Sequence, residues 1–286
     1  MRMKDKQTIF QQILDVCLPV LVYYLASSIF LYVLNLIVQG ICSAQGESGL
    51  IFIFNHAAEI NATNNGIAML IGAMLILRHF LKETVYHGQE LVIKVRKAVV
   101  PGFREGLRKC KALKLQILWP VGLAVTSSIC LNLAMGLITD VTGLGNYAHV
   151  AAAQYAVSPL LAVVLYGVIS PIAEEMMYRG VLLGKLARYL NPTVAILASS
   201  LLFGLFHGNL VQGIYAFAMG LFIGYVYVRY NAFGVPVLFH AVANLVIYFL
   251  TIFGIPGENF VLKMVMLGVS AILSVLFIVR IHKSMV

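Results

Sequence analysis

The sequence predicts an all-α polytopic transmembrane bundle of about eight helices, with both termini cytoplasmic. Three observations predict it. Hydrophobic residues make up 61% of the 286 positions, charged residues only 11%, and mean hydropathy is +0.92. A soluble domain is nearer a quarter charged, so a water-soluble core cannot absorb this apolar surface. The apolar residues gather into runs near the ~20 residues that a helix needs to cross a bilayer. The Lys and Arg residues gather between alternate runs, as topology in a membrane requires.

Taken in order, the N-terminus from Met1 to Gln12 is basic, and an apolar run follows from Cys17 to about Ile41. That run exceeds a signal-peptide core and no A-x-A-like site closes it, so it predicts a first spanning helix. Further spans are expected near 62–81, 115–138, 157–188, 193–209, 211–230, 234–253 and 261–281. The fourth is longer than a bilayer needs and should tilt or project. Residues 1–114 thus hold two spans and a basic loop, and residues 115–286 hold the other six.

The charges test this count independently. Arg2, Lys4 and Lys6 precede the first span, and ten bases from Arg78 to Lys114 lie at or between the ends of the second and third. Arg179, Lys185 and Arg188 follow the apolar part of the fourth, Arg229 ends the sixth, and Arg280 and Lys283 end the eighth. With cytoplasmic termini all fall on one side, and only Lys263 falls outside. The other loops carry Glu47, Glu59, Asp140 and Glu258. The net charge of +9 therefore points to a membrane surface and not to nucleic acid. Segment 82–114 mixes bases with apolar residues around Pro101-Gly102, which fits an amphipathic segment on anionic lipid and equally a solvated loop. Cys17, Cys42, Cys110 and Cys130 show no metal-ligand spacing.

An ionisable group inside a bilayer is costly and marks a candidate site. Away from span ends, the only acids are Glu174 and Glu175 and the only histidines His207 and His240; Asn244 follows one turn after His240. Glu175 and Arg179, four apart with the acid first, can pair on one helix face. Glu174 is rotated by about 100° and lacks that partner, which leaves it free to act. Pro171, just before, is expected to free the carbonyl of Gly167. Phe203 and His207 are expected on one face of the fifth span, with Gly204 and Gly208 admitting a close neighbour. Each residue has a plainer reading. A membrane histidine often only bridges helices, Arg179 can be an anchor, and the acid pair can couple protons in a transporter. Together, from three helices, they form a convergent polar set of the kind that builds bundle-core sites.

Glu174-Glu175-Met-Met-Tyr-Arg179 resembles the EExxxR motif of the CPBP family of CAAX-processing and bacteriocin-immunity intramembrane proteases. Phe203 to His207 resembles its FxxxH motif and His240 to Asn244 its HxxxN motif, in the family's order. The resemblance covers about 155–253. It implies an intramembrane endopeptidase acting on a membrane-associated peptide or protein, in a bacterial plasma membrane. It makes Glu174 the base, His207 a water-orienting residue, and His240 with Asn244 the oxyanion donors, supported by Glu175, Arg179 and Phe203. A metal-free glutamate mechanism is expected, with no cofactor; zinc on Glu174, His207 and His240 is the other chemistry this set permits. A non-catalytic scaffold or immunity protein, and a proton-coupled transporter, are the alternatives from other classes. One mismatch stands. His240 lies about six residues from the basic end of its span and His207 about fifteen, roughly 9 and 22 Å, so one of the two helices must depart from a plain span if both meet Glu174.

Overall fold

The computed structural model describes residues 8–85, 116–143, 155–230, 232–257 and 259–284. These form nine helices and no strand. They are α1 (Ile9–Ala44), α2 (Glu47–Asn55), α3 (Ala57–Val85), α4 (Leu118–Thr142), α5 (Pro159–Leu186), α6 (Pro192–Leu205), α7 (Leu210–Tyr230), α8 (Gly234–Ile252) and α9 (Phe260–Ser284). Among the described residues, seven are long and apolar enough to cross a membrane. Beyond residue 85, the expected lipid-facing segment 82–114 lies outside the described residues.

Local chemistry sets the ends. Thr8 Oγ1 accepts from Gln11 N at 3.3 Å while Thr8 N donates to Gln11 Oε1 at 2.8 Å. This capping box starts α1 eight residues before the expected apolar run. After α1, Gly46 at φ 67° turns the chain into α2, a helix that hydropathy alone did not predict. Phe54 on α2 is 84% exposed, as suits a short helix at an apolar interface.

Among the described residues, the two largest of four packed groups hold most of the core. Val20 and Tyr23 of α1, Met69 and Ile76 of α3, and Met177, Val181 and Leu182 of α5 form one. Leu123 of α4, Ile223 and Val226 of α7, Val235 and Phe239 of α8, and Ile281 of α9 form the other. The bases secure helix ends. Asp15 of α1 accepts from Lys185 in the last turn of α5 at 2.5 Å, and from Arg188 at 3.3 Å and Tyr189 at 3.1 Å just after it. Arg229 donates to the His282 carbonyl at 2.5 Å, and Tyr230 to that of Gln116 at 2.9 Å. Each contact joins ends that the charge alternation assigns to the same side. At the other end, Ser158 N donates to Glu59 Oε1 at 3.2 Å, joining the starts of α3 and α5.

The fifth span departs most from expectation. Its helix, α6, has 14 residues, about 21 Å of rise against a hydrocarbon layer of ~30 Å. It forms a tight hairpin with α7, and Gly204 is why the two backbones approach. A Cβ there would sit 2.6 Å from the Gly213 carbonyl oxygen, whereas one at Gly213 would sit 3.0 Å from that of Gly204. Gly208 does something else: it has φ 79° and nothing near its missing Cβ, so it serves the turn and not a helix contact. Gly204→Ala should destabilise by about 1–3 kcal/mol, the usual cost of overpacking. Thermal unfolding in detergent checks this, with a larger loss expected for Gly204→Ala than for Gly213→Ala.

Candidate active site

The site sits where α5 faces α8, and α5 is not a uniform helix. Residues Leu165–Ile169 and Met176–Leu183 are in π register, bracketing the α-helical Ser170–Glu175. Such wide turns are uncommon and concentrate at functional sites. The first explains Pro171. Ser170 N bonds the Leu165 carbonyl five residues back, so the bond that Pro171 cannot make in this register is to Tyr166. The freed carbonyl is therefore that of Tyr166 and not of Gly167, as the α spacing had predicted. Asn244 Nδ2 of α8 takes it at 3.1 Å.

Glu174 is not bare. Its Oε1 accepts from Ser170 Oγ at 2.9 Å, and its Oε2 lies 3.7 Å from His240 Nε2. The side chain is 16% exposed, in contrast to Glu175 and Arg179 at 0%. Arg179 Nη1 donates to Glu175 Oε1 at 3.1 Å and Nη2 to the Gly220 carbonyl at 3.0 Å, while its guanidinium lies 4.8 Å from the Phe203 ring centre. The same Glu175 Oε1 is 2.8 Å from His240 Nδ1. Glu175 thus does more than balance Arg179: it fixes the imidazole and leaves Nε2 facing Glu174. Glu175 Oε2 and Arg179 Nε are buried with no hydrogen-bond partner. A buried pair so incompletely satisfied is a poor source of stability, which points to positioning as its use.

His207 lies in the turn after α6 and not on the helix, correcting the shared helical face with Phe203. Helices α6 and α8 begin close to where expected, at Pro192 and Gly234, and yet both histidines line one cavity. His207 Nδ1 is 2.6 Å from the Phe203 carbonyl. A carbonyl only accepts, so Nδ1 carries the proton and Nε2 of the neutral ring is the acceptor. Phe203 packs against both histidines, with ring centres 4.6 Å from His207 and 5.8 Å from His240. Glu174, His207, His240 and Asn244 all line one cavity of about 730 Å³.

Sequence reasoning missed the remainder of that cavity. Tyr23, Tyr24 and Ser27 of α1 and Asn61 and Asn65 of α3 line it, as do Tyr166 and Tyr178 of α5. Tyr24 and Tyr178 are hydrogen-bonded through their hydroxyls. Asn61 and Asn65, four apart in an apolar span, were a signal that could have been read. A metal would need Glu174, His207 and His240 to converge. Among the described residues, no three or more His, Cys, Asp or Glu side chains do so.

Residues 156–246 match the family described as Type II CAAX prenyl endopeptidase Rce1-like. That match supports the assignment to the CPBP family. The matched CPBP segment runs from the start of α5 into α8 and includes all four cavity residues named above. A relative in Bacillus subtilis (strain 168), described as "Putative membrane peptidase YdiL", is 26% identical over 191 residues, covering 66% of this chain and 70% of the relative. No solved structure gives a significant match. The coarse class follows: a multi-pass membrane protein of a peptidase family.

With the CPBP segment in place, Glu175→Gln has a definite expectation. It leaves Arg179 buried without its counter-charge, a change that costs about 3–5 kcal/mol in buried pairs, and it loosens His240. Thermal unfolding should fall sharply, and turnover measured below the new midpoint should fall as well.

Proposed function

We propose that the chain is an intramembrane endopeptidase that hydrolyses a peptide bond in a membrane-associated peptide or protein, with Glu174 as the base. The observation that carries the reading is the convergence of Glu174, His207, His240 and Asn244 on one cavity. At 3.7 Å, Glu174 Oε2 and His240 Nε2 are too far apart for a direct hydrogen bond. A water about 2.8 Å from each bridges them. Glu174 takes its proton as the hydroxyl attacks the carbonyl, and His207 Nε2 helps to orient it. Asn244 Nδ2 spends one N–H on Tyr166 and keeps the second for the developing oxyanion; His240, whose Nδ1 proton is held by Glu175, would join it from Nε2 as the imidazolium. Glu174 then returns the proton to the leaving amine.

In this reading the basic ends face the cytoplasm of a bacterial plasma membrane and segment 82–114 rests on anionic lipid. CAAX-type processing, maturation of secreted peptides and bacteriocin immunity are the roles that the family suggests. Membrane peptides from cells with the wild-type protein, compared by mass spectrometry with those from cells with Glu174→Gln, test it. Glu174-dependent products are expected, and a scaffold or transporter would yield none. Catalysis is expected to need no metal. Exhaustive chelation should leave cleavage unchanged, and activity lost on chelation and regained with zinc would reverse this.

A further inference from the structure

The cavity continues well beyond the four residues assigned roles in hydrolysis. Beside apolar Leu31, Met69, Leu165 and Phe206, its walls carry three polar stripes: Tyr24, Ser28 and Asn35 on α1, Asn61 and Asn65 on α3, and Tyr166, Ser170, Glu174 and Tyr178 on α5. The first two stripes lie outside residues 156–246. Ala58 and Tyr155 also line the cavity. Both flank the Glu59–Ser158 bond that joins the starts of α3 and α5. The cavity therefore reaches the end of the bundle opposite the Asp15–Lys185 contact. Toward that contact it stops at Tyr23 and at the Tyr24–Tyr178 hydroxyl pair. From there about 10–12 Å of helix remain to Asp15 and Lys185.

The chemistry of the walls selects a ligand. Asn side chains offer both donors and an acceptor, matching the two halves of a peptide group. Asn64, buried between α1 and α3, donates to Asn35 Oδ1 at 2.8 Å and so holds that side chain in place. Tyr23 is 2% exposed, lines the cavity, and its hydroxyl has no partner. An isoprenoid chain would leave these groups unpaired in a desolvated space, the condition that hydrogen bonding avoids. Among the described residues no Lys, Arg or Asp lines the cavity, and Glu174 is its only carboxylate, so a charged segment finds little counter-charge along the track.

We propose that α1 and α3, with α5, form a binding track for an extended, uncharged peptide segment that enters from the base-poor end of the bundle. The loops at that end carry Glu47, Glu59, Asp140 and Glu258 with Lys263 as their one base, which makes it the extracytoplasmic face. Hydrolysis of the segment rests on the protease reading; the track and its entrance do not.

Two measurements test this. In protein with Cys17, Cys42, Cys110 and Cys130 replaced by Ser, Asn61→Cys should react with a membrane-impermeant maleimide applied to intact cells, and not with one applied to inverted vesicles. Reaction from the inverted side, or from neither side while the denatured protein reacts fully, overturns the entrance. The Asn61→Leu/Asn65→Leu protein should lower the yield of Glu174-dependent membrane peptides about tenfold, the scale of one or two net hydrogen bonds. Asn61→Gln/Asn65→Gln should restore the yield at equal thermal stability. Unchanged yields in the Leu protein overturn the track. If no Glu174-dependent peptide exists in the wild type, the protease reading fails, and the labelling pattern still decides the entrance.

Discussion

Glu174→Gln should lower turnover by about 10²–10⁴, the range for removal of a general base, and leave the fold intact. The amide keeps the shape of the side chain and can still accept from Ser170 Oγ, now at 2.9 Å from Glu174 Oε1. It abandons no buried counter-charge, because Arg179 pairs with Glu175. What it removes is the atom that takes a proton from water. Matched unfolding curves with a collapse in peptide release would separate this from the Glu175→Gln protein, in which stability also falls. Equal losses of activity and of stability in the two variants would sink the division of roles.

Asn244→Ala carries the second large effect. Loss of one oxyanion donor in a protease costs about 10²–10³ in turnover, with little change in substrate capture. Here the substitution also deprives the Tyr166 carbonyl of its 3.1 Å donor. Water entering the cavity can meet that need, so the thermal midpoint should move little. Single-turnover kinetics beside an equilibrium binding measurement decide it. A scaffold predicts the reverse: partner binding lost, or nothing changed.

The class of fold was legible because membrane insertion depends on bulk hydropathy and on where the bases lie, and both survive errors of several residues. The ends were less legible. At α1, polar Gln11, Gln12 and Asp15 masked a helix whose start is fixed by the Thr8–Gln11 capping box. At α6, composition could not tell a crossing helix from one that turns back at Gly208, because φ 79° leaves no trace in hydropathy. That single turn is why His207 could be singled out and yet placed wrongly on a helix.

Within the site, residue types were more legible than their connections. Glu174, His207, His240 and Asn244 stood out because a bilayer tolerates few such groups. The link from Glu175 to His240 spans 65 residues of sequence, and i, i+4 reasoning stops at Arg179. The π register of α5 shifted the freed carbonyl from Gly167 to Tyr166, an offset that an assumed α-helix cannot give. The walls from α1 and α3 were missed because they carry amides and hydroxyls without a motif, and only packing against α5 makes them part of the cavity.

Hydrolysis inside the bundle, with Glu174 activating the water, is tested most directly with purified protein in lipid nanodiscs. A peptide recovered as a Glu174-dependent product is resynthesised with its uncleaved flanks and incubated with wild type and with Glu174→Gln. Mass spectrometry follows the new termini, at matched thermal stability. Cleavage at the cellular position by wild type, falling by about 10² or more in the variant, is the predicted result. Equal cleavage by both proteins, or none by a folded wild type, would contradict it.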